Sequence, residues 1–210
     1  MKHVNRPFLI LALCLAATLC SRVAAAAGGP EQFVVTAVTQ KKIKQLPAGE
    51  LYWRLENFPT LSQAEAAASE TSLAAELAGK VWLFTLSRKG ESTPGGSKVA
   101  EIGPVPTFGA PEYLLRINTG RGPFGATTPV HTHPGSEAFY VLAGRLSQKT
   151  PLGVVQVAGG QSLPGRGPGM PMQIISTGVA DLMTIVMFVV DATAPFSSPA
   201  TFQRAAAARE

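Results

Sequence analysis

The chain has 210 residues, of which 46% are hydrophobic and only 15% are charged. Its 21 glycines and 17 prolines favour many short strands joined by turns over a helical bundle, and its length favours a single domain. The formal net charge is +5, but no run of Lys and Arg exceeds two residues, as in Lys41-Lys42. The basic balance therefore does not predict a nucleic-acid partner.

Residues 1–27 have the pattern of a signal peptide. Lys2 and Arg6 form a short basic start, residues 8–19 are a continuous apolar run, and residues 24–27 are alanines suited to cleavage. The run is too short for a comfortable membrane span, and a single N-terminal anchor is the alternative interpretation. The sequence predicts a protein that is periplasmic or secreted after cleavage, with no stable membrane span.

Cleavage would change both the charge and the cysteine content. Lys2, Arg6 and Arg22 would leave without any acidic residue, which lowers the net charge from +5 to +2. Both cysteines, Cys14 and Cys20, would leave too, so the mature chain could use neither a disulfide nor a thiolate ligand. Only two of the three histidines would remain.

Residues 28–107 are predicted to form an extension of strands and one helix that packs on the main domain. The helix is expected over residues 62–77, which are rich in Ala, Glu and Leu, with Thr60 or Ser62 as its cap and Gly79 at its end. Residues 88–98, rich in Gly, predict a loop. The strand-like segments here are residues 33–35, 51–53 and 80–87.

Strand signals become dense in residues 108–192, which we predict to be the main domain. Short apolar or alternating segments are separated by turn residues, a pattern typical of a sandwich or barrel. Residues 193–210 are predicted to be a surface tail with a frayed end. The segments are residues 113–117, 129–133, 137–146, 154–157, 172–175 and 182–190.

The residues with the clearest chemical pattern are His131, His133 and Glu137. Two histidines separated by one residue of a strand lie on the same face, and the turn Pro134-Gly135 that follows allows a hairpin to bring Glu137 beside them. Two neutral imidazoles and a carboxylate form a three-ligand face for a divalent metal ion, with other coordination positions open.

This stretch resembles the first motif of the cupin superfamily, G-x5-H-x-H-x3-E-x6-G. All five fixed positions of the motif are filled, by Gly125, His131, His133, Glu137 and Gly144. The resemblance covers about residues 110–192. It implies an all-β cupin double-stranded β-helix, or jelly-roll, barrel with N-terminal strands and one helix, and a metal site at the mouth of the barrel. A homodimer is a further expectation from the family.

The second cupin motif is matched only loosely, by Gly160, Gly169 and Pro171, and its histidine position is occupied by Met172. A thioether is a softer and weaker ligand than imidazole for Fe(II), Mn(II) or Zn(II). Three interpretations follow. Met172 could line the pocket while the metal keeps the three-ligand set, it could be a fourth ligand to a soft ion such as Cu(I), or the pocket could bind an organic ligand without metal.

Two functions of different kinds are compatible with this pattern. The first is an enzyme that acts on a small molecule through one divalent ion (Fe, Mn, Ni, Zn or Cu), with dioxygenase-like chemistry as one option. Both histidines would then be ligands, and no separate catalytic acid or base is evident in the motif. The second is a non-catalytic cupin that binds or senses a small molecule or metal in the periplasm. The fold by itself does not choose between them.

Overall fold

The structure is a computed structural model that describes Met1 and residues 32–202, so the predicted signal peptide lies outside the described residues, and the predicted tail lies partly outside them. The described part contains strands and one short helix, α1. In chain order the elements are β1 (Val34–Ile43), β2 (Leu51–Phe58), α1 (Leu61–Ala66), β3 (Ser72–Leu77), β4 (Lys80–Ser87), β5 (Ser97–Val105), β6 (Tyr113–Gly122), β7 (His131–Thr132), β8 (Gly135–Ala143), β9 (Arg145–Thr150), β10 (Gly153–Ala158), β11 (Ser162–Arg166), β12 (Gln173–Ser176), β13 (Leu182–Asp191) and β14 (Ser198–Pro199).

The predicted fold class is confirmed: the protein is an all-β double-stranded β-helix barrel with N-terminal strands and one helix. Its central sheet has the order β1-β6-β13-β8-β11, and smaller sheets are formed by β10-β9-β12 and by β14-β7. From β6 to β13 the chain alternates between the central sheet and the smaller sheets, which is the winding of a jelly roll. The remaining strands form a fourth sheet, in the order β3-β4-β2-β5.

The central sheet is buried on both faces along its inner strands β6, β13 and β8, whereas its edge strand β1 is largely exposed. Its β13 is apolar at nearly every position, the pattern expected of a strand covered on two sides. Alternate β13 residues Ile185, Met187 and Val189 pack against the β3-β4-β2-β5 sheet in one core, which also contains the fully buried Trp53 and Trp82. The intervening β13 residues Val186, Phe188 and Val190 contribute to a second core, shared with residues of β9, β10 and β12.

The predicted helix over residues 62–77 is wrong for its second half. Helix α1 is capped by Thr60, whose Oγ1 accepts a hydrogen bond from the Gln63 amide at 3.2 Å, but it ends at Ala66. Strand β3 follows and pairs with β4. The physical reason is the alternation of Leu73, Ala75 and Leu77, which are all buried in the first core; this burial on one strand face outweighs the helix propensity of Ala, Glu and Leu.

The predicted strand over residues 137–146 is two strands. Gly144 adopts a φ of +74° between β8 and β9, and the chain passes there from the central sheet to the smaller one. Strands β5, β11 and β14 were missed by the sequence analysis, and each contains a proline (Pro104, Pro164 and Pro199) that weakens the strand signal. The other predicted strands are confirmed with shifted ends.

Strand β1 comes from the predicted N-terminal extension but hydrogen-bonds along its length to β6 of the central sheet. Its neighbour in sequence, Phe33, packs against the second core. The extension therefore supplies both an edge strand of the central sheet and a wall of the barrel interior. In the described residues, no helix is long and apolar enough to cross a bilayer.

We predict that Gly135→Ala destabilises the fold by about 3 kcal/mol, near the upper end of the range for overpacked sites. Gly135 begins β8 directly against β13, where an added Cβ would overlap the Val189 carbonyl oxygen and lie 2.5 Å from the Val190 Cα. These are backbone atoms, so a strand has to move. The free energy of unfolding from urea denaturation measures the effect. Gly109→Ala is the matched control, since a Cβ there meets nothing within 4 Å; an equal loss in both variants would contradict the prediction.

Candidate functional site

His131 and His133 lie side by side, with ring centroids 4.9 Å apart. His131 lies in β7, and His133 is the first residue after that strand, so the predicted common face is observed. Each ring has Nδ1 close to a backbone carbonyl, which is that of Pro129 at 2.9 Å for His131 and that of Phe196 at 2.6 Å for His133. A carbonyl can only accept, so in both rings Nδ1 carries the proton and Nε2 keeps a free lone pair.

Glu137 projects from β8 into the barrel and is only 4% exposed. On the central sheet it is directly opposite Phe188 of β13. Its Oε2 is buried and has no hydrogen-bond partner among the described residues. The Nε2 of His133 lies 3.9 Å from this oxygen, which is too long for a hydrogen bond.

The structure brings the three predicted ligands together. One donor atom from each of His131, His133 and Glu137 lies within 4.8 Å of the others. The expected hairpin does not form, because β7 pairs with β14 while β8 lies between β13 and β11. The turn at Pro134 instead carries the chain from one sheet to the other, and the three side chains meet across the barrel interior.

Burial favours the uncharged forms of Glu137 and His133 in the absence of a cation. Desolvation raises the pKa of Glu137 to about 8. Desolvation also lowers the pKa of His133 to about 4, assisted by the nearby charges of His131 and Arg116 and opposed by the hydrogen bond to Phe196. The 3.9 Å contact between His133 and Glu137 is therefore not an ion pair at neutral pH. A bound divalent cation would reverse the balance and favour the carboxylate.

The donor set fits a divalent metal ion on three observations. The two Nε2 lone pairs are free, each histidine is oriented through Nδ1 by a carbonyl as metal-ligating histidines usually are, and the Glu137 Oε2 has no other partner. Imidazole and carboxylate together suit Fe, Mn, Ni, Zn or Cu.

A strap formed by residues 192–202 closes one side of the site. Its strand β14 pairs with β7, and the Phe196 ring lies 4.9 Å from the rings of both His133 and Phe188. The guanidinium of Arg116 lies 4.4 Å above the same Phe196 ring. The strap therefore orients His133 twice, through the Phe196 carbonyl and through the Phe196 ring.

The cluster borders a cavity of about 380 Å³ between the central sheet and β7, β12 and the strap. Its wall is mainly aromatic and aliphatic. Among the described residues that line it, only His131, His133 and Glu137 are titratable, and Asn118 has the only side-chain amide. The remaining lining residues are Phe33, Val35, Thr128, Pro129, Val130, Phe139, Ile174, Val186, Phe188, Phe196, Ser197 and Pro199.

Met172 lies directly opposite His131, and the two backbones exchange hydrogen bonds of 3.0 and 2.8 Å. Its side chain is 1% exposed, and its Sδ lies 3.6 Å from Gln148 Nε2, within reach of a weak hydrogen bond. The described wall of the cavity is formed by other residues. Coordination by Met172 therefore remains a prediction for experiment.

Two features of the site were missed by the sequence analysis. Asn118 was missed because the predicted strand ended at Ile117, which left Asn118 outside it beside Thr119 and Gly120, whereas β6 extends to Gly122. The Phe196 contacts were missed because residues 193–210 were predicted to be a surface tail, and no local pattern indicates that a tail returns to the site. An isolated Phe beside Pro195 in a polar segment was the one available signal.

No protein-family model matches the sequence, and no curated protein is significantly similar to it. Similar solved structures include a cupin domain from Bordetella pertussis, with 23% identity over 36% of this chain and 80% of that chain at a TM-score of 0.31. A protein with a double-stranded β-helix domain from Klebsiella pneumoniae has 18% identity over 41% and 70% of the two chains at a TM-score of 0.36.

A third similar structure is the DMSP lyase DddQ from Ruegeria pomeroyi, with 17% identity over 43% of this chain at a TM-score of 0.37. This chain spans 45% of the length of that lyase. All three similarities are local and concern the fold. The strand order and the two buried faces of the central sheet define the barrel independently of them.

We predict that the metal-free protein loses about 2 kcal/mol of stability between pH 6.5 and pH 8. In this interval the unfolded chain has already released the Glu137 proton, which the folded protein retains up to about pH 8, so rising pH favours unfolding. The lowered pKa of His133 acts in the opposite direction, but only below about pH 6.5. One proton gives at most ~1.4 kcal/mol per pH unit. Urea denaturation at several pH values in the presence of EDTA measures the slope.

Glu137→Gln is the matched control for this experiment, because glutamine has the same shape and does not titrate. Its stability is expected to change less than that of the parent protein between pH 6.5 and pH 8. Parallel pH profiles for the two proteins would show that Glu137 is already ionised in the folded, metal-free state.

Proposed function

We propose that this protein is an exported cupin that binds one divalent metal ion through His131, His133 and Glu137 and uses it to act on a small, largely apolar molecule. The observation that carries the proposal is the arrangement of the three side chains. Two imidazoles present free Nε2 atoms beside a buried carboxylate oxygen that has no other partner. A buried carboxylate without a partner is costly, and a bound cation would remove that cost.

The site has the composition of a metal centre with open positions. Three protein ligands on one side of an ion leave room for other ligands on the side of the cavity. A divalent ion bound there would supply Lewis-acid polarisation of a substrate oxygen and, if redox-active, oxidative chemistry of the kind expected for a dioxygenase.

The residues around the cluster have separate tasks in this proposal. The Phe196 carbonyl fixes the tautomer and orientation of His133, and the Pro129 carbonyl does the same for His131. The Phe139, Phe188 and Phe196 side chains exclude water and provide an apolar surface for the substrate.

A binding protein without turnover is the second candidate. It is supported by the scarcity of proton-transfer groups at the cavity, whose only titratable side chains among the described residues are the three proposed ligands. A metal or small molecule could then be held or sensed in the periplasm without being changed. Both candidates use the same residues, and they differ in whether a product is released.

We expect the purified protein to take up about one equivalent of a divalent metal ion and the double variant His131→Ala/His133→Ala to take up almost none. The variant removes two of three donors, so its affinity should fall by more than 100-fold. Elemental analysis after reconstitution with Fe(II), Mn(II), Ni(II), Zn(II) or Cu(II) and desalting measures the content. Equal metal content in the parent and in the double variant would refute the proposed site.

Met172→Leu is the matched control for this measurement, because leucine has a similar volume and lacks the sulfur. Since the Met172 sulfur lies against Gln148 Nε2, we expect this variant to bind metal like the parent. A loss confined to copper supplied as Cu(I) would instead identify Met172 as a fourth ligand to a soft ion.

Turnover distinguishes the two candidate functions. If the protein is an enzyme, product formation or oxygen consumption with some member of a metabolite panel should require metal and disappear in His131→Ala/His133→Ala. If it is a binding protein, a member of the same panel should raise the melting temperature without any product. Full activity after removal of the metal would exclude the proposed catalytic role of the site.

A further inference from the structure

The inner face of β6 carries a buried side-chain amide, that of Asn118, in which the oxygen accepts a hydrogen bond and the NH₂ group donates none within the described part of the chain. Asn118 is 1% exposed, and its Nδ2 has no hydrogen-bond partner among the described residues. An unpaired amide donor in a protein interior costs free energy, so such a group is usually paired with protein, water or a ligand. Asn118 also lines the cavity beside Glu137.

The orientation of this amide is fixed by its neighbour Arg116. The Nε of Arg116 lies 2.8 Å from the Oδ1 of Asn118. A guanidinium has donors only, so the atom facing it must be the amide oxygen, and the free end of the amide is the NH₂ group. Arg116 is itself positioned by the Phe196 ring, 4.4 Å from its guanidinium carbon. The donor is therefore preorganised by a chain of contacts that begins in the strap.

Residues that lie directly opposite one another on neighbouring strands of the central sheet form a row across it. Asn118 lines the same cavity as the proposed ligands but lies in a different row from Glu137. Asn118 is opposite Val186 of β13, and Val186 is opposite Phe139 of β8. The row that contains Glu137 and Phe188 is the adjacent one on the same face. A small molecule in the cavity can thus contact Asn118 and the apolar row while part of it approaches the His–His–Glu cluster.

We propose that the cavity takes a small aromatic or similarly apolar molecule that carries a hydrogen-bond acceptor oxygen, and that Asn118 Nδ2 donates to this oxygen and determines specificity. The apolar body matches the aromatic and aliphatic wall. The acceptor matches the buried Nδ2 donor of Asn118, which has no partner among the described residues, whereas a ligand with an N–H donor at this point would face donor with donor. Sites that hydrogen-bond a ligand group reject analogues that lack the group much more strongly than apolar walls can.

This inference names the substrate class for the proposed function. It rests on the proposed function only in taking the molecule bound in the cavity to be the substrate. The binding step itself does not need the metal. It is tested in metal-free protein with two probes of the same shape, acetophenone, which has one acceptor oxygen, and ethylbenzene, which has none. Ligand-observed NMR titrations of the full-length protein give both dissociation constants in the parent and in Asn118→Leu.

The expected result is that the ratio of acetophenone affinity to ethylbenzene affinity falls about tenfold in Asn118→Leu, the size of effect typical of one lost hydrogen bond. Comparing ratios cancels the difference in hydration of the two probes. The ethylbenzene affinity reports whether the cavity survives the substitution. Asn118→Asp is the second variant, because it retains an acceptor for Arg116 and lacks the donor, and it should show the same fall.

An unchanged ratio in the two variants, or no binding of either probe to the parent, would overturn the inference. Metal uptake by Asn118→Leu, measured in parallel, separates this result from the proposed metal site. A fall in the affinity ratio together with normal metal uptake supports both the ligand site and the metal site. A fall in the ratio when the parent protein also takes up no metal supports the ligand site and removes the metal from the proposed function.

Discussion

Burial of the central sheet on both faces is the constraint on which the rest of the structure depends. One face packs against the β3-β4-β2-β5 sheet in a continuous apolar core, and the other closes the barrel with the smaller sheets. Some polar residues of the inner strands of this sheet therefore lie in a poorly solvated interior. Glu137 and Asn118 are such residues, and each has an atom without a partner among the described residues. Low solvation makes these two atoms costly, which is the physical reason to assign them to bound groups.

The strap and the first strand make the cavity from what would otherwise be an open barrel mouth. Phe196 contacts His133 and Arg116, and Phe33 contributes from the segment that leads into β1. Since Phe196 contacts both a proposed metal ligand and the arginine that fixes Asn118, the proposed metal site and the proposed ligand site share one support. Ordering of the strap and occupation of the cavity should consequently be coupled, and removal of either should loosen the other.

Local sequence predicted the local parts of this arrangement well. The period of two residues places His131 and His133 on one face of a strand. The predicted hairpin does not form, and Glu137 enters the barrel because β8 lies between β13 and β11 in the central sheet. Where a segment had two possible periods, the prediction was less secure. Residues 72–77 have helix-forming composition, but their alternating apolar positions fit a strand, and pairing with β4 decided between these possibilities.

The sequence by itself determined the barrel class, the three candidate ligands and the absence of a histidine at position 172. Only the tertiary structure decided which polar residues face the cavity, because a polar residue such as Asn118, just beyond the predicted strand 113–117, looks solvent-facing until a second layer is known to cover it. It likewise decided the tautomer of His133, through the carbonyl of Phe196, 63 positions further along the chain. The reason is the same in both cases: solvation and hydrogen-bond partners are set by segments distant in sequence, and the local pattern contains no information about them.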